Sequence, residues 1–384
     1  MAERAVCTVI TKSFLSHARM LAHSIAQHNP GLKLYVLLAD HVDGYFDPET
    51  EDFELITLDC LADQELVQKM CFYYTPFELC CALRGLLHKY MYDEIKAERW
   101  IFLDSDIMVF GSLDRLYKQL ECCSLVLSPH IRVPVEIDFC YHEINILSSG
   151  LYNGGFLALH RDDNARKFIE WFAGRLYRYG FNDLHSGSTR GLFVDQKWLD
   201  LVPLYFNGVG YLTEPGANLA HWNLYEHNLC VDQGGNISVD GEPLLFVHFS
   251  GLDLNQTGNV SIHSKMYDGL ELPVWKMVAD AYRDSLIMFD HGNVVSYPYA
   301  FLTFQSGEVI EAASRRGYYD GTTSVDLLWD SPFLKSNAFF CEKINDVSEY
   351  PEKVGLLSRS KRIAYNGLAE IARRARGAFS EDSR

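Results

Sequence analysis

Short, nearly unbroken apolar runs alternate with segments of helical periodicity through the first part of this chain. AVCTVI at 5–10 is followed by apolar positions at helical spacing, Leu15, Met20, Leu21 and Ile25, which stop at Asn29-Pro30-Gly31. KLYVLLA at 33–39, ELITLD at 54–59 and WIFL at 100–103 repeat the strand-like pattern, with PFELCCALRGLLHKYMYDEI delivering the chain to the last of them. A strand covered on both faces reads as a continuous apolar run, and such strands separated by helices imply an α/β fold with a mostly parallel sheet flanked by helices. Further strand-like runs follow in SLVLSP at 124–129, YNGGFLALH at 152–160 and PLLFVHF at 243–249, with a helix from about Asn164 to Tyr179.

A chain of 384 residues exceeds what one core holds, since single cores stop growing near roughly 250–300 residues. The character of the sequence changes near residue 270. The expected organisation is a catalytic domain over 1–270, an aromatic-rich accessory region over 271–350 and a basic helical tail over 351–384, where residues 353–376 carry seven Lys or Arg against one Glu. Hydrophobic residues at 48% and charged residues at 22% suit a packed soluble fold and not bulk disorder. The net charge of −17 excludes a general nucleic-acid binder, which needs a basic face to neutralise phosphate. MAERAVCTVITKSF lacks the apolar run of a signal peptide, and no stretch of 18 apolar residues follows, so a cytoplasmic protein is expected. The ten cysteines include the neighbouring pairs Cys80-Cys81 and Cys122-Cys123 and no zinc-type repeat, which favours buried reduced thiols.

The chemistry concentrates where apolar strands end. Asp104-Ser105-Asp106 follows WIFL directly, and in open α/β sheets ligands sit outside the carboxyl ends of strands. Two carboxylates there can share a divalent cation, and a bound cation neutralises the charge that develops on a diphosphate leaving group. Asp-x-Asp also serves as an ordinary cap or turn. FVHFSG at 246–251 adds an imidazole, His248, which favours a borderline ion such as Mn²⁺ over Mg²⁺, the alternative. Ser250 and Gly251 would let backbone N–H groups approach phosphate. Asn153-Gly154-Gly155 permits close backbone approach with an amide suited to sugar hydroxyls, and Asp195-Gln196 puts an acid and an amide at a loop-to-helix junction. A tight turn and a helix cap are the plain readings of those two pieces.

In their chain order, Asp104-Ser105-Asp106, Asn153-Gly154-Gly155-Phe156, Asp195-Gln196 and His248-Phe249-Ser250-Gly251 resemble the family 8 retaining glycosyltransferases, the glycogenin and bacterial galactosyltransferase group. The resemblance covers about residues 5 to 255. It implies a GT-A nucleotide-sugar fold and transfer of a sugar from a nucleotide diphosphate donor, UDP first among them, to a glycan, lipid-linked or protein acceptor, as in polysaccharide biosynthesis. It implies Asp104, Asp106 and His248 as metal ligands, Ser105 at the ribose, Thr11 near the nucleotide, and Asn153, Gly154, Asp195 and Gln196 around the sugar. The family's lysine and tryptophan shortly after its His-x-x-Gly are absent here, where the text is GLDLNQTGN. Arg84 and Lys265 are the basic residues expected to hold the diphosphate in their place.

Double displacement needs a carboxylate nucleophile under the anomeric carbon. The family position holds an amide, Gln196, so front-face departure of the leaving group and attack by the acceptor are expected, with Asp195 as the alternative nucleophile. Two other readings stand beside this one: a nucleotide-sugar binding protein without turnover, and an Asp-x-Asp phosphohydrolase, which would carry its motif on the first strand. The basic tail, with Val354, Leu356, Leu357, Ile363, Leu368 and Ile371 among its charges, suggests peripheral contact with the inner face of a membrane or packing on the chain's own acidic surface.

Overall fold

The computed structural model describes residues 3–184, 189–256, 259–324 and 331–340. They form two compact units, one ending at Phe301 and the other beginning at Leu302. The basic tail lies outside the described residues.

The first unit is built on a seven-stranded sheet in the order β10-β6-β7-β4-β1-β2-β3. Its strands are β1 (Arg4–Ile10), β2 (Lys33–Leu38), β3 (Glu54–Ile56), β4 (Arg99–Leu103), β6 (Leu125–Pro129), β7 (Tyr152–His160) and β10 (Val209–Tyr211). Apart from β7, which runs antiparallel to both β4 and β6, the neighbouring strands are parallel, as the alternation of runs and helices implies. Six of the seven β1 residues are buried, because helices cover both faces and a parallel strand has no side left for water.

Three smaller pairings complete the unit: β5 (Ile107–Val109) with β14 (Phe246–His248), β8 (Asn182–Asp183) with β9 (Leu192–Phe193), and the meander β11 (Leu229–Val231), β12 (Ile237–Val239) and β13 (Glu242–Pro243). The first of these matters most for the site. It takes the chain just after the Asp-x-Asp and sets Ile107 opposite His248 in an antiparallel register.

Helix Pro76–Tyr90 starts with a full capping box: the Thr75 Oγ1 accepts from the Glu78 N–H, the Glu78 carboxylate accepts from the Thr75 N–H, and Pro76 fills the first turn. It crosses helix Asp163–Tyr179 so closely that a Cβ on Gly85 would lie 2.6 Å from the Ala173 Cα. Only glycine permits that approach, and the approach sets the depth of the neighbouring Arg84.

The core on one side joins Val6, Ile10, Val36, Ile101, Leu103, Phe156 and Phe246. A second cluster holds Met20, Val247, Phe249, Trp275, Val278 and Tyr282, with Phe249 stacked on Tyr282 at 4.1 Å. Helix Pro273–Met288 thus belongs to the first unit. In the second unit, Phe304 stacks on Phe340, and Asn337 ties helix Ala312–Ser324 to the preceding hairpin: its Oδ1 accepts from Glu311 N and Ser314 Oγ, while its Nδ2 donates to the Glu308 carboxylate and Val309 O.

The nine cysteines among the described residues are all unpaired, as expected. Burial holds for only three of them, Cys7, Cys71 and Cys81, whereas Cys60, Cys122 and Cys230 are exposed. No helix among the described residues is long and apolar enough to cross a membrane.

One buried pair ties the core to pH. Trp100 Nε1 donates to His88 Nδ1 at 3.0 Å, and burial, helped by the Arg84 charge, pushes the His88 imidazole down to about 3. A depressed folded-state pKa contributes stability that is complete above the unfolded value of about 6.5 and lost as the pH falls toward the folded value. Acidification from pH 7 to pH 5 should therefore cost about 2 kcal/mol through His88 alone. Urea unfolding at the two pH values checks this: His88→Gln, which keeps an acceptor for the indole, should flatten the dependence by that amount.

Candidate active site

β4 ends at Leu103, and the next residues turn over the edge of the sheet, where Asp104 N donates to Gly155 O on β7 and Ile107 N donates to Asp104 O. β5 then pairs with β14, and Phe249 N donates to Asp106 O. These few backbone bonds place Asp104, Asp106 and His248 so that one ligand atom from each lies within 4.8 Å of the others. His248 Nε2 is 3.1 Å from Asp106 Oδ1 and 3.9 Å from Asp104 Oδ2. The aspartate side chains are 24% and 30% exposed, so the cluster opens to solvent on one side.

Burial drives the Asp106 carboxyl upward, but the His248 imidazole outweighs it and leaves the group below the usual carboxylate range. His248 shows the mirror image: burial opposes its charge, Asp106 and Asp104 favour it, and the net shift is upward. For Asp104, burial wins over Arg84 and, with the repulsion of Asp106, raises the carboxyl. Two carboxylates and an imidazole at this spacing are a donor set for a borderline divalent cation, so the residues present fit the metal that the sequence implies.

Gly155 is required by the same geometry. A Cβ there would sit 2.3 Å from His248 Cε1 and 2.8 Å from Asp104 Oδ2, so any side chain would push into the cluster. Asn153, two residues earlier on the strand, spans the site: its Oδ1 faces His248 Nδ1 at 3.3 Å and accepts from Asn218 Nδ2 at 3.1 Å, while its Nδ2 points to Gln196 Oε1 at 3.4 Å.

Arg84 is the electrostatic centre. One terminal nitrogen donates to Gly154 O at 2.8 Å and Asp195 Oδ2 at 2.9 Å; the other donates to Asp104 Oδ1. Burial opposes its charge, yet the two carboxylates more than compensate and hold the guanidinium above its ordinary pKa. Asp195 remains raised by burial despite the arginine, and its Oδ1 is buried without a hydrogen-bond partner. The residue before it, Val194, has φ +41°, a left-handed conformation that strains a β-branched residue by about 1–3 kcal/mol and is concentrated at functional sites. Gln196 is framed at both ends, accepting from Gly154 N at 2.9 Å and donating to Ser149 O at 3.1 Å.

The remaining expected residues are spread around this centre. Ser105 is buried between the two aspartates, and Thr11 is buried at the end of β1 with its hydroxyl 2.9 Å from Ser13 Oγ. Gly251 follows β14 with φ +67°. Lys265 is exposed just before the turn at 266–269. The sequence reading missed several neighbours: Asn218, with φ +55°, which bonds Asn153 and Ser128; Trp222, whose ring meets His248 edge-on at 5.1 Å; and the imidazoles of His130, His221 and His263. No motif or periodicity marks them, since they reach the site on irregular segments. A surface depression lined by Arg4, Asn29, Lys33 and Tyr117 lies at the opposite edge of the sheet, where β1 and β2 begin.

No protein-family model matches the chain. Two curated relatives from Bacillus subtilis (strain 168), the uncharacterized proteins YfnF and YfnD, are 27% and 26% identical to it over 252 residues, covering 64% of this chain and 81% and 77% of theirs. Among solved structures the chain is similar to the galactosyltransferase LgtC in complex with donor and acceptor sugar analogs, at 15% identity and a TM-score of 0.45, covering 77% of this chain and 97% of that one. It is also similar to the glycosyltransferase GlyE of Streptococcus pneumoniae TIGR4, at 16% identity and a TM-score of 0.43, covering 79% of this chain and 67% of that one.

Proposed function

We propose that the chain is a metal-dependent glycosyltransferase of the GT-A, family 8 type, which moves a sugar from a nucleoside diphosphate, UDP first among them, to a glycan, lipid-linked or protein acceptor with retention of configuration. The observation that carries this reading is the convergence of Asp104, Asp106 and His248 beside Gly154, Asp195 and Gln196 at the edge where β4 ends. A divalent ion held there, Mn²⁺ before Mg²⁺, would neutralise charge developing on the leaving diphosphate.

The chain's own residues do the rest. Asn153 and Gly154 border the sugar, Ser105 and Thr11 the nucleoside, and Gly251 and Lys265 the phosphates. Asp195 Oδ1, buried with a hydrogen bond still to make, accepts from a sugar hydroxyl. Arg84 is engaged by Asp104, Asp195 and Gly154 O, so it acts on the donor by fixing both carboxylates. Gln196, held at both ends, presents a preorganised amide to an oxocarbenium-like state without forming a stable bond, which suits front-face attack. A cytoplasmic location, with the tail over 351–384 resting on the inner face of a membrane, belongs to the same proposal.

Thermal unfolding with UDP-, GDP- and dTDP-sugars tests it. A ligand at a hundred times its Kd stabilises the native state by about 2.7 kcal/mol, an upward shift on the order of 5 °C. The shift should appear for one nucleotide class in Mn²⁺ and vanish with chelator. Protection by none of the donors, or equal protection in chelator, would remove the reading.

A further inference from the structure

The segment that follows β14 brings together three features that point to an anion. Gly251 adopts φ +67°, and neither the Ser250 nor the Gly251 N–H has an acceptor among the described residues. Successive free N–H groups beside a left-handed residue form a concavity that binds anions. Above it sits the His263 ring: a Cβ on Gly251 would lie 2.4 Å from His263 Cδ2 and 2.7 Å from Nε2. The ring is held there by its own loop, since Ser261 Oγ donates to Ser250 O at 2.8 Å, His263 N donates to Ser261 Oγ at 3.1 Å, and Ile262 N donates to Gly251 O at 2.9 Å.

The His263 imidazole nitrogens have no hydrogen-bond partner among the described residues. The His221 ring stands 5.9 Å away, with its Nδ1 buried and unpartnered. The site lies two residues beyond His248 along the chain, and the Asp106 charge acts on the His263 imidazole, which ties it to the cluster. Two cations of this unit are engaged elsewhere: Arg84 is divided among Asp104, Asp195 and Gly154 O, and Lys12 is paired with Asp40 and Asp43, whereas His263, like Lys265, is exposed and open to a ligand.

We propose that His263, seated over Gly251 and backed by His221, donates a hydrogen bond to the diphosphate of the donor together with the N–H groups of Ser250 and Gly251, and that it holds the phosphates more strongly than Lys265 does. The inference rests on the nucleoside diphosphate reading above. A neutral imidazole supplies direction with little charge, which leaves neutralisation to the bound cation.

Calorimetric titration with Mn²⁺ and UDP, GDP or dTDP, taking whichever the wild-type chain binds, and with the matching monophosphate, tests the assignment. His263→Ala should weaken the diphosphate roughly tenfold or more, weaken the monophosphate far less, and leave the unfolding temperature without ligand in place. His263→Gln, which keeps an N–H donor, should recover part of the loss. Unchanged diphosphate affinity in His263→Ala, an equal loss for both nucleotides, or a larger loss in Lys265→Ala overturns the assignment while leaving the enzyme reading intact. A wild-type chain that binds none of the three diphosphates overturns both.

Discussion

Asp106→Ala is expected to abolish sugar transfer and, with it, every Mn²⁺-dependent stabilisation by the donor, while the protein stays folded. The carboxylate supplies one of three ligand atoms that lie within 4.8 Å of one another, and without it His248 and Asp104 cannot close a site on the cation. A metal contributes several kcal/mol to stabilising a leaving diphosphate, so the rate should fall by roughly a thousandfold or more. The fold should tolerate the change. Asp106 is 30% exposed, its bond to His248 Nε2 is lost, and its repulsion of Asp104 is relieved in the same step. The ligand-free unfolding temperature and the donor-induced shift in Mn²⁺ separate the two effects. Undiminished transfer in excess chelator, or a donor-induced shift that survives in Asp106→Ala, would remove the metal from the mechanism.

Arg84→Met should produce the opposite signature, a large loss of stability that depends on pH. The guanidinium is 10% exposed, lies over the Phe102 ring at 4.7 Å and holds Asp195, whose side chain is 3% exposed, as well as Asp104. Removing one partner of a buried ionic network leaves an uncompensated charge and costs about 3–5 kcal/mol. In the variant the Asp195 carboxyl, already raised by burial, rises further. A folded-state pKa above the unfolded value means that the penalty is absent below the unfolded carboxylate pKa of about 3.9 and grows as the pH climbs through the folded one. The difference between wild type and Arg84→Met in urea unfolding should thus be largest near pH 7 and shrink toward pH 4. An equal difference at both pH values would mean that lost packing on Phe102, and not charge, accounts for the effect.

Both predictions mix what the chain shows on its face with what it does not. Asp104 and Asp106 are visible because a continuous apolar strand stops at a carboxylate, and His248 because another apolar run ends the same way. Their meeting is not visible. It depends on β5 pairing antiparallel with β14, a contact between strands of three residues each that lie far apart in sequence. The antiparallel course of β7 is equally hidden, because a strand buried on both faces has the same apolar text in either direction.

Arg84 marks the boundary most sharply. Helical spacing through 76–90 places it on a helix, and its charge near the metal strand made it an expected phosphate clamp. Its three actual partners come from β7, the loop after β9 and the end of β4, and its depth follows from the close passage of Gly85 over Ala173. The same is true of His263, which reaches Gly251 through a loop with no periodicity to read.

Local pattern alone determined the alternating elements, the strand ends and the residue types gathered there, because burial writes a period of 2 or 3.6 or an unbroken run into the sequence. Tertiary structure alone decided which charges face one another and which polar atoms are left open. Coulombic and hydrogen-bond energies depend on separations of a few ångströms and on exclusion of water, and neither quantity leaves a periodic trace along the chain.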